Sequence, residues 1–190
     1  PRKATEMARR EIEEKHRENM DGGDYRANSK LLAFKGEFEK SKEKKHVIFI
    51  DSKTQRNSVI ELLRDSGLKP NQIKNIAATT TEMTGTEMAA RVKDFKTNKN
   101  IPVILIDARS STGFNLQQGD FLHILGAPSD AAVLLQAQGR IARAPRKGDV
   151  SIKTYRYSDN ITEQAKWNDL DNQIKVLRAA APAMFLGEEK

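Results

Sequence analysis

The sequence predicts an α/β fold in which helices cover both faces of a parallel sheet. Short apolar runs such as "HVIFID" and "PVILID" have the length and composition of buried strands. Segments with apolar residues at helical spacing lie between these runs, and strands separated by helices imply parallel pairing. No apolar run approaches the roughly 20 residues that a membrane helix needs, so we expect no membrane partner.

Local signals define the individual elements. The predicted strands are residues 46–51, 73–79, 102–107, 121–126 and 149–157. Ser52 with Gln55, and Thr84 with Glu87, predict capping boxes at the starts of two helices. The first of these helices is expected to end at Gly67, because glycine favours the end of a helix.

A further helix is predicted to begin at "APSD", where Ser129 or Asp130 can cap it, and to end before Pro145. The last thirty residues also read as a helix with apolar residues at helical spacing. Trp167 lies on that apolar face. We interpret it as a packing residue rather than a platform for base stacking.

We expect three parts in the chain. Residues 1–28 form a charged helical extension or linker, 29–160 form the α/β domain, and 161–190 form a C-terminal helical extension. The chain begins with Pro1, and we interpret it as a piece of a longer protein. The N-terminal region has no apolar core and does not resemble a signal peptide, so we expect an intracellular protein of the cytoplasm or nucleus.

Composition narrows the possible chemistry. The net charge of +7 favours a polyanionic partner, and Lys and Arg outnumber Asp and Glu in residues 41–74. The absence of cysteine excludes disulfides, thiolate metal sites and a cysteine nucleophile. His16, His46 and His123 are far apart in sequence and have no metal-ligand spacing, so we expect no metal site in the chain.

The stretch "LLQAQGRIARAPRKGD", residues 134–149, concentrates positive charge after an apolar segment. At about 100° per residue, Gln136, Arg140 and Arg143 fall within an arc of about 60°, whereas the apolar residues fall on the opposite side. Gly139 removes bulk from the polar face. From this helix alone two interpretations remain open, a solvated basic face and a phosphate-binding face.

The pattern Q-x-x-G-R-x-x-R in this stretch resembles motif VI of superfamily 2 helicases and translocases. Upstream, "ILIDARSSTGFNL" resembles motif V and "VIFIDSKTQRNSVIELLRDSG" resembles motif IV. At the two ends, "SKLLAFKGEFEK" and "SIKTYRYSDNITEQAKW" resemble segments of the Swi/Snf type, so the resemblance covers roughly residues 29–167. Asn115 followed by Leu116 favours the Swi/Snf type. Two departures from that type are the "DARSS" segment and the Ala144-Pro145 step.

The resemblance implies a RecA-like lobe of the P-loop NTPase type, with helical extensions at both ends. It also implies roles for three groups of residues. The catalytic residues at the γ-phosphate of ATP are Arg140, Arg143 and Gln136; the ATP-binding residues are Gly113, Asn115 and Gly139; the nucleic-acid-binding residues are Ser52, Lys53, Arg56, Ser111 and Thr112. Arginine suits the first role because its charge is fixed and its planar fork matches phosphate oxygens.

Simpler roles remain open for several of these positions. Gly113 can be a turn glycine and Asn115 a turn cap. Arg146 and Lys147 can contact nucleic acid or nothing.

The sequence contains neither a G-x-x-x-x-G-K-[ST] phosphate loop nor a D-E-x-H or D-E-A-D motif. The resemblance therefore implies the second lobe of a motor, with ATP and Mg²⁺ bound mainly by an N-terminal RecA-like lobe and with duplex DNA as the expected nucleic acid. We predict no ATP hydrolysis by the chain alone. Two alternatives stay open: a non-catalytic nucleic-acid-binding or protein-interaction module, and a flavodoxin-like ligand-binding domain.

Overall fold

The computed structural model describes residues 5, 7–8, 24–77, 83–128, 130–141, 148–157 and 160–180. Its centre is a five-stranded sheet in the order β2-β3-β1-β4-β5, in which every pair of neighbours is parallel. The strands are β1 (His46–Phe49), β2 (Ile73–Asn75), β3 (Val103–Ile106), β4 (Phe121–Ile124) and β5 (Ser151–Thr154). The predicted α/β class and the five predicted strands are confirmed.

Five helices can be followed among the described residues. They are α1 (Ser29–Glu39), α2 (Lys53–Asp65), α3 (Gly85–Thr97), α4 (Ala131–Ile141) and α5 (Ile161–Ala180). Short 3₁₀ turns occur at Tyr25–Ala27, Pro70–Gln72 and Ser110–Thr112. None of the described helices is both long enough and apolar enough to cross a membrane.

The sheet has a hydrophobic core on each face. Every residue of β1 and β3 is buried, because successive side chains point to opposite faces and both faces are covered. Ile48 and Leu105 belong to the core beneath α1 and α2, whereas Val47 and Ile104 belong to the core beneath α3, α4 and α5.

The predicted helix starts are largely confirmed. Thr84 and Glu87 form both halves of a capping box. Ser52 Oγ accepts a hydrogen bond from Gln55 N at 3.1 Å, but the Gln55 side chain accepts from Asp51 N at 3.0 Å, one residue before the predicted partner. The second hydrogen bond of the predicted capping box is therefore made with Asp51 N instead of Ser52 N.

Two of the predicted helix boundaries, at Gly67 and at Asp130, can be compared with the structure. Gly67 lies just beyond α2 with a φ of 100°, a conformation that glycine adopts without strain. Asp130 Oδ1 accepts from Val133 N at 3.0 Å and so caps α4. The other proposed cap, Ser129, and the proposed stop, Pro145, lie outside the described residues, as do most of residues 1–23 and all of 181–190.

Part of the basic run near residue 42 has a structural role. Lys42 Nζ donates to Ser66 O at the end of α2, at 2.6 Å. Lys45 Nζ donates to Phe95 O and Asn98 O, both at 2.6 Å, at the end of α3. Because the last carbonyl groups of a helix have no intrahelical partners, both lysines stabilise helix ends. Their charge is not evidence for a polyanion partner.

A row of polar side chains crosses the core beneath α1. His46 Nε2 lies 2.7 Å from Ser41 O, His46 Nδ1 lies 2.8 Å from His123 Nε2, and His123 Nδ1 lies 2.9 Å from Tyr155 Oη. The Ser41 carbonyl can only accept, so His46 Nε2 must donate to it. If both imidazoles are neutral, His123 Nε2 then donates to His46 Nδ1, and Tyr155 donates to His123 Nδ1.

Burial keeps this row of side chains uncharged. Both histidines are 0 % exposed. Desolvation, and then the nearby charges of His46 and Lys153, lower the pKa of His123 to about 3, with Glu37 opposing them. Desolvation also lowers the pKa of His46 and raises the pKa of Tyr155.

Candidate functional site

Most of the sequence-predicted site residues that the structure describes lie on segments that follow strands. The residues after β1 form the start of α2, those after β3 form a loop, and those after β4 lead into α4. Because all strands are parallel, these three segments lie at the carboxyl edge of the sheet, where open α/β sheets bind ligands. The ends of β1 and β4 approach closely, since a Cβ at Gly126 would lie 2.4 Å from Asp51 Cβ.

The loop after β3 is held by its own polar groups. Asp107 Oδ1 accepts from Ser110 N at 2.9 Å and from Ser110 Oγ at 3.0 Å, and both residues are buried. Ser111 is 1 % exposed, and its hydroxyl donates to Ala108 O at 3.0 Å. In this conformation the Ser111 hydroxyl is turned inward, so the predicted phosphate contact would require it to leave this hydrogen bond. Its observed role is to hold the 3₁₀ turn.

This loop is joined to the end of α4. Leu116 is buried and donates its backbone N–H to Arg140 O at 3.1 Å. Beside it, the exposed Asn115 accepts from Gln117 N at 3.0 Å, which is the turn-capping geometry that the sequence left open. The structure therefore places residues 113–116 next to the segment that contains Gln136, Gly139 and Arg140.

Helix α4 has the orientation that its periodicity predicts. Leu134, Ala137 and Ile141 are buried, whereas Gln136 is exposed and Arg140 is half-buried. The sequence-predicted polar face is thus the outward face of the helix. Arg143, Arg146 and Lys147 lie outside the described residues.

Two glycines on this surface have open space around them. A Cβ added at Gly113 or at Gly139 would meet no atom within 4 Å. Gly113 has a φ of −110°, which other residues adopt without strain, so a turn does not require glycine there. The packing of the described residues explains neither glycine, and both leave room for a group that approaches from outside.

The predicted nucleic-acid-binding residues divide into two groups. Ser52, Lys53 and Arg56 lie together at the start of α2, and Lys53 is exposed. Ser52 Oγ is an acceptor in the helix cap, which leaves its hydroxyl hydrogen available. Arg56 donates to Asn57 Oδ1 through Nε at 3.2 Å and Nη2 at 3.0 Å. Ser111 and Thr112 belong to the 3₁₀ turn of the loop after β3.

Sequence reasoning did not select Arg109, which is exposed in that same loop. Its position two residues after a buried strand end was the available signal. The described residues contain no group of three or more His, Asp or Glu side chains that could hold a metal ion.

The family model for the helicase conserved C-terminal domain matches residues 27–145, which is more than half of the chain. The chain belongs to this helicase family. The match begins just before α1 and extends past the polar face of α4, so it includes every predicted site residue.

Two solved structures of helicase and ATPase domains have a similar fold. The helicase lobe matches the C-terminal part of the Fun30 ATPase domain with a TM-score of 0.68 and 18 % identity over 77 % of this chain and 46 % of that chain. It also matches the E. coli DEAD-box protein SrmB bound to the regulator of ribonuclease activity A, with a TM-score of 0.52 and 17 % identity. That match covers 66 % of this chain and 69 % of SrmB.

The two structural matches show the RecA-like fold, and this chain spans less than half the length of the Fun30 chain. No curated protein sequence matches the helicase lobe. The flavodoxin-like alternative is therefore excluded by the family match, whereas the roles of individual residues rest on their geometry.

Proposed function

We propose that this lobe is the second motor lobe of an ATP-dependent nucleic-acid helicase or translocase. In this proposal ATP binds between it and a first lobe that has the phosphate loop. Arg140, Arg143 and Gln136 face the γ-phosphate, and the start of α2 contacts the nucleic-acid backbone.

One observation supports the proposal most strongly. The outward face of α4, with Gln136, Gly139 and Arg140, is joined by the Leu116–Arg140 backbone hydrogen bond to the loop that contains Gly113 and Asn115. Two motifs that are distant in sequence thus form one surface. The open space at both glycines suits the approach of a nucleotide and its lobe.

The arginines of this surface suit phosphoryl transfer. Negative charge on the γ-phosphate is redistributed during hydrolysis, and a guanidinium fixed beside it stabilises the transition state. We propose that Gln136, one turn before Arg140, orients the attacking water, as glutamine does in other nucleotide hydrolases. Gly113, Asn115 and Gly139 then line the nucleotide side of the cleft.

We propose that Mg²⁺ is bound mainly by the first lobe. The metal ion that accompanies ATP needs oxygen ligands, and the described residues contain no group of three or more His, Asp or Glu side chains that could hold it. We assign its ligands to the first lobe together with the phosphate loop.

We propose that Ser52, Lys53 and Arg56 contact the sugar-phosphate backbone. Contacts of this kind position a strand without reading its sequence. The preference for duplex DNA rests on the resemblance to the Swi/Snf type. Thr112 is the candidate from the loop after β3, since Ser111 has its hydroxyl turned inward.

The alternative is a lobe that only binds nucleic acid or protein, without a first lobe. It predicts that the parent protein lacks a phosphate loop. It also predicts that substitutions on α4 leave every nucleotide-dependent property unchanged.

The kinetic test uses the full-length protein, in which we propose that the two lobes are joined. Arg140→Ala is expected to lower the kcat of nucleic-acid-stimulated ATP hydrolysis by about 10³-fold, the lower bound for an arginine finger. The affinity for ATP should change by less than about tenfold, roughly 1.4 kcal/mol, because the arginine acts mainly in the transition state.

Arg64→Ala is the matched control, since Arg64 is exposed near the far end of α2, away from the carboxyl edge. Equal and small losses of kcat for the two variants would contradict the motor proposal. The lone 190-residue lobe is expected to hydrolyse no ATP.

Binding of the lone lobe to DNA tests the backbone contacts. The logarithm of the binding constant is expected to fall linearly with the logarithm of salt concentration, because each neutralised phosphate releases counterions. Lys53→Ala should reduce this slope by about one, whereas Lys99→Ala, on the exposed turn after α3, should leave it unchanged. Binding that is insensitive to salt would exclude phosphate contacts.

A further inference from the structure

The side chain of Gln173 on helix α5 contacts the first turn of α4. Gln173 Oε1 accepts a hydrogen bond from Ala131 N at 3.1 Å, and Gln173 Nε2 donates to Asp169 Oδ2 at 2.9 Å. Ala131 N can only donate and the Asp169 carboxylate accepts, so the amide has a single orientation. The first N–H groups of a helix have no intrahelical partner, and Gln173 supplies one from another element.

The buried face of α4 is built partly from small side chains, so the contact with Gln173 matters for the position of the helix. Two of the four buried residues of α4, Ala131 and Ala137, have side chains of a single methyl group. A buried face of this kind makes few interlocking contacts that resist sliding or rotation of the helix. Hydrogen bonds at the two ends of α4, at Ala131 N and Arg140 O, are therefore well placed to determine its position.

Helix α5 is firmly attached to the rest of the lobe. Trp167 and Leu170 are each 2 % exposed in the core beneath the sheet. The buried Lys30 ammonium pairs with Glu163 in the first turn of α5 and also donates to Leu125 O, at the end of β4, at 2.8 Å. The helix is thus anchored on the end of β4 and reaches the start of α4 with Gln173.

We propose that Gln173 is a positioning residue for the outward face of α4, the face that contains Gln136 and Arg140. The inference rests on the proposed function, because that face is the one expected to meet ATP. Gln173 fixes the start of α4 relative to the sheet and so sets the direction of the Arg140 side chain. A displacement of about 1 Å at a reacting group can cost about 10²-fold in rate.

The first variant removes the hydrogen bond and keeps the bulk. Gln173→Met in the full-length protein is expected to lower the kcat of ATP hydrolysis by about tenfold or more, with KM for ATP within about threefold. Asn172→Met is the matched control, since Asn172 is the exposed neighbour on the same helix. A role limited to folding would lower the amount of active protein and leave the kcat of the folded fraction unchanged.

The second variant restores the hydrogen bonds with reversed polarity. In Gln173→Glu combined with Asp169→Asn, the new carboxylate accepts from Ala131 N and the new amide donates to that carboxylate. We expect kcat to return to within about threefold of the wild-type value, as the geometry of a near-attack arrangement is restored. Gln173→Glu alone places two carboxylates one turn apart and should be intermediate.

A third measurement does not depend on ATP. Amide hydrogen exchange of residues 131–135 in the 190-residue chain should accelerate in Gln173→Met and not in Asn172→Met, because the start of α4 loses its external partner.

The outcomes separate the two proposals. A loss of kcat in Arg140→Ala without a loss in Gln173→Met overturns the positioning role and leaves the motor function intact. Unchanged kcat in Arg140→Ala overturns the motor function, and the positioning role with it. A loss in Gln173→Met that the double variant does not restore assigns the effect to damaged packing and also overturns the positioning role.

Discussion

Glycines occupy two kinds of position in this lobe. A Cβ at Gly126 would lie 2.4 Å from Asp51 Cβ, and one at Gly119 would lie 2.8 Å from Val47 Cγ2. A Cβ at Gly113 or Gly139 would meet nothing within 4 Å. The first pair is required by the packing of the lobe. The second pair lies on the surface proposed to meet ATP, and we propose that the reason for glycine there lies in what approaches that surface.

The largest effect on folding is expected at the first pair. Gly126→Ala should destabilise the lobe by about 3 kcal/mol, at the upper end of the usual cost of overpacking, because Asp51 Cβ cannot move without its backbone. Chemical denaturation of the 190-residue chain measures the change. Wild-type stability in Gly126→Ala would show that the two strand ends are further apart than the structure places them.

The buried histidines give the stability of the interior a pH dependence. The pKa of His123 is lowered to about 3 in the folded chain, whereas an unfolded histidine titrates near 6.5. The unfolded state therefore binds more protons below pH 6.5, and stability present above that pH is lost as the pH falls. We expect a loss of about 2 kcal/mol between pH 6.5 and pH 5, measured by denaturation at each pH.

His123→Gln is the control for this titration, because it removes the imidazole and keeps a polar side chain in the row. Its stability should be lower at neutral pH and should depend less on pH in this range. An equal slope in the variant would assign the acid sensitivity to other groups.

Features that depend on residues close together in the chain could be predicted from the sequence. Periodicity identifies the strands and the outward face of α4, because an apolar stripe must face the sheet. Helix starts at Ser52 and Thr84 follow from side chains that bond within one turn. These features depend on residues that are neighbours in the chain.

Contacts between distant segments could not be predicted in this way. The Leu116–Arg140 and Gln173–Ala131 hydrogen bonds form only once the elements are packed. The inward hydroxyl of Ser111 depends on the turn that surrounds it. Lys45 belongs to the basic excess of residues 41–74, but its long side chain donates to carbonyl groups at the end of another helix.

The central claim is that the outward face of α4 contacts ATP and the first lobe. The variant with the smallest expected change in stability, Gly139→Ala, tests this claim most directly. Gly139→Ala should raise the stability of the 190-residue chain by about 0.5–1 kcal/mol, because glycine is unfavourable within a helix and the added methyl group meets nothing. Gly36→Ala is the matched control, since Gly36 is an exposed glycine of α1 that also has open space around it.

The deciding measurement is the kcat of ATP hydrolysis by the full-length protein with each alanine. Gly139→Ala is expected to lower kcat by about tenfold or more, because the methyl group displaces what packs against α4 and small displacements are costly at a reacting group. Gly36→Ala should leave kcat at the wild-type value. Equal kcat in both variants and the wild type would contradict the account, since the open glycine would then serve neither the fold nor a partner.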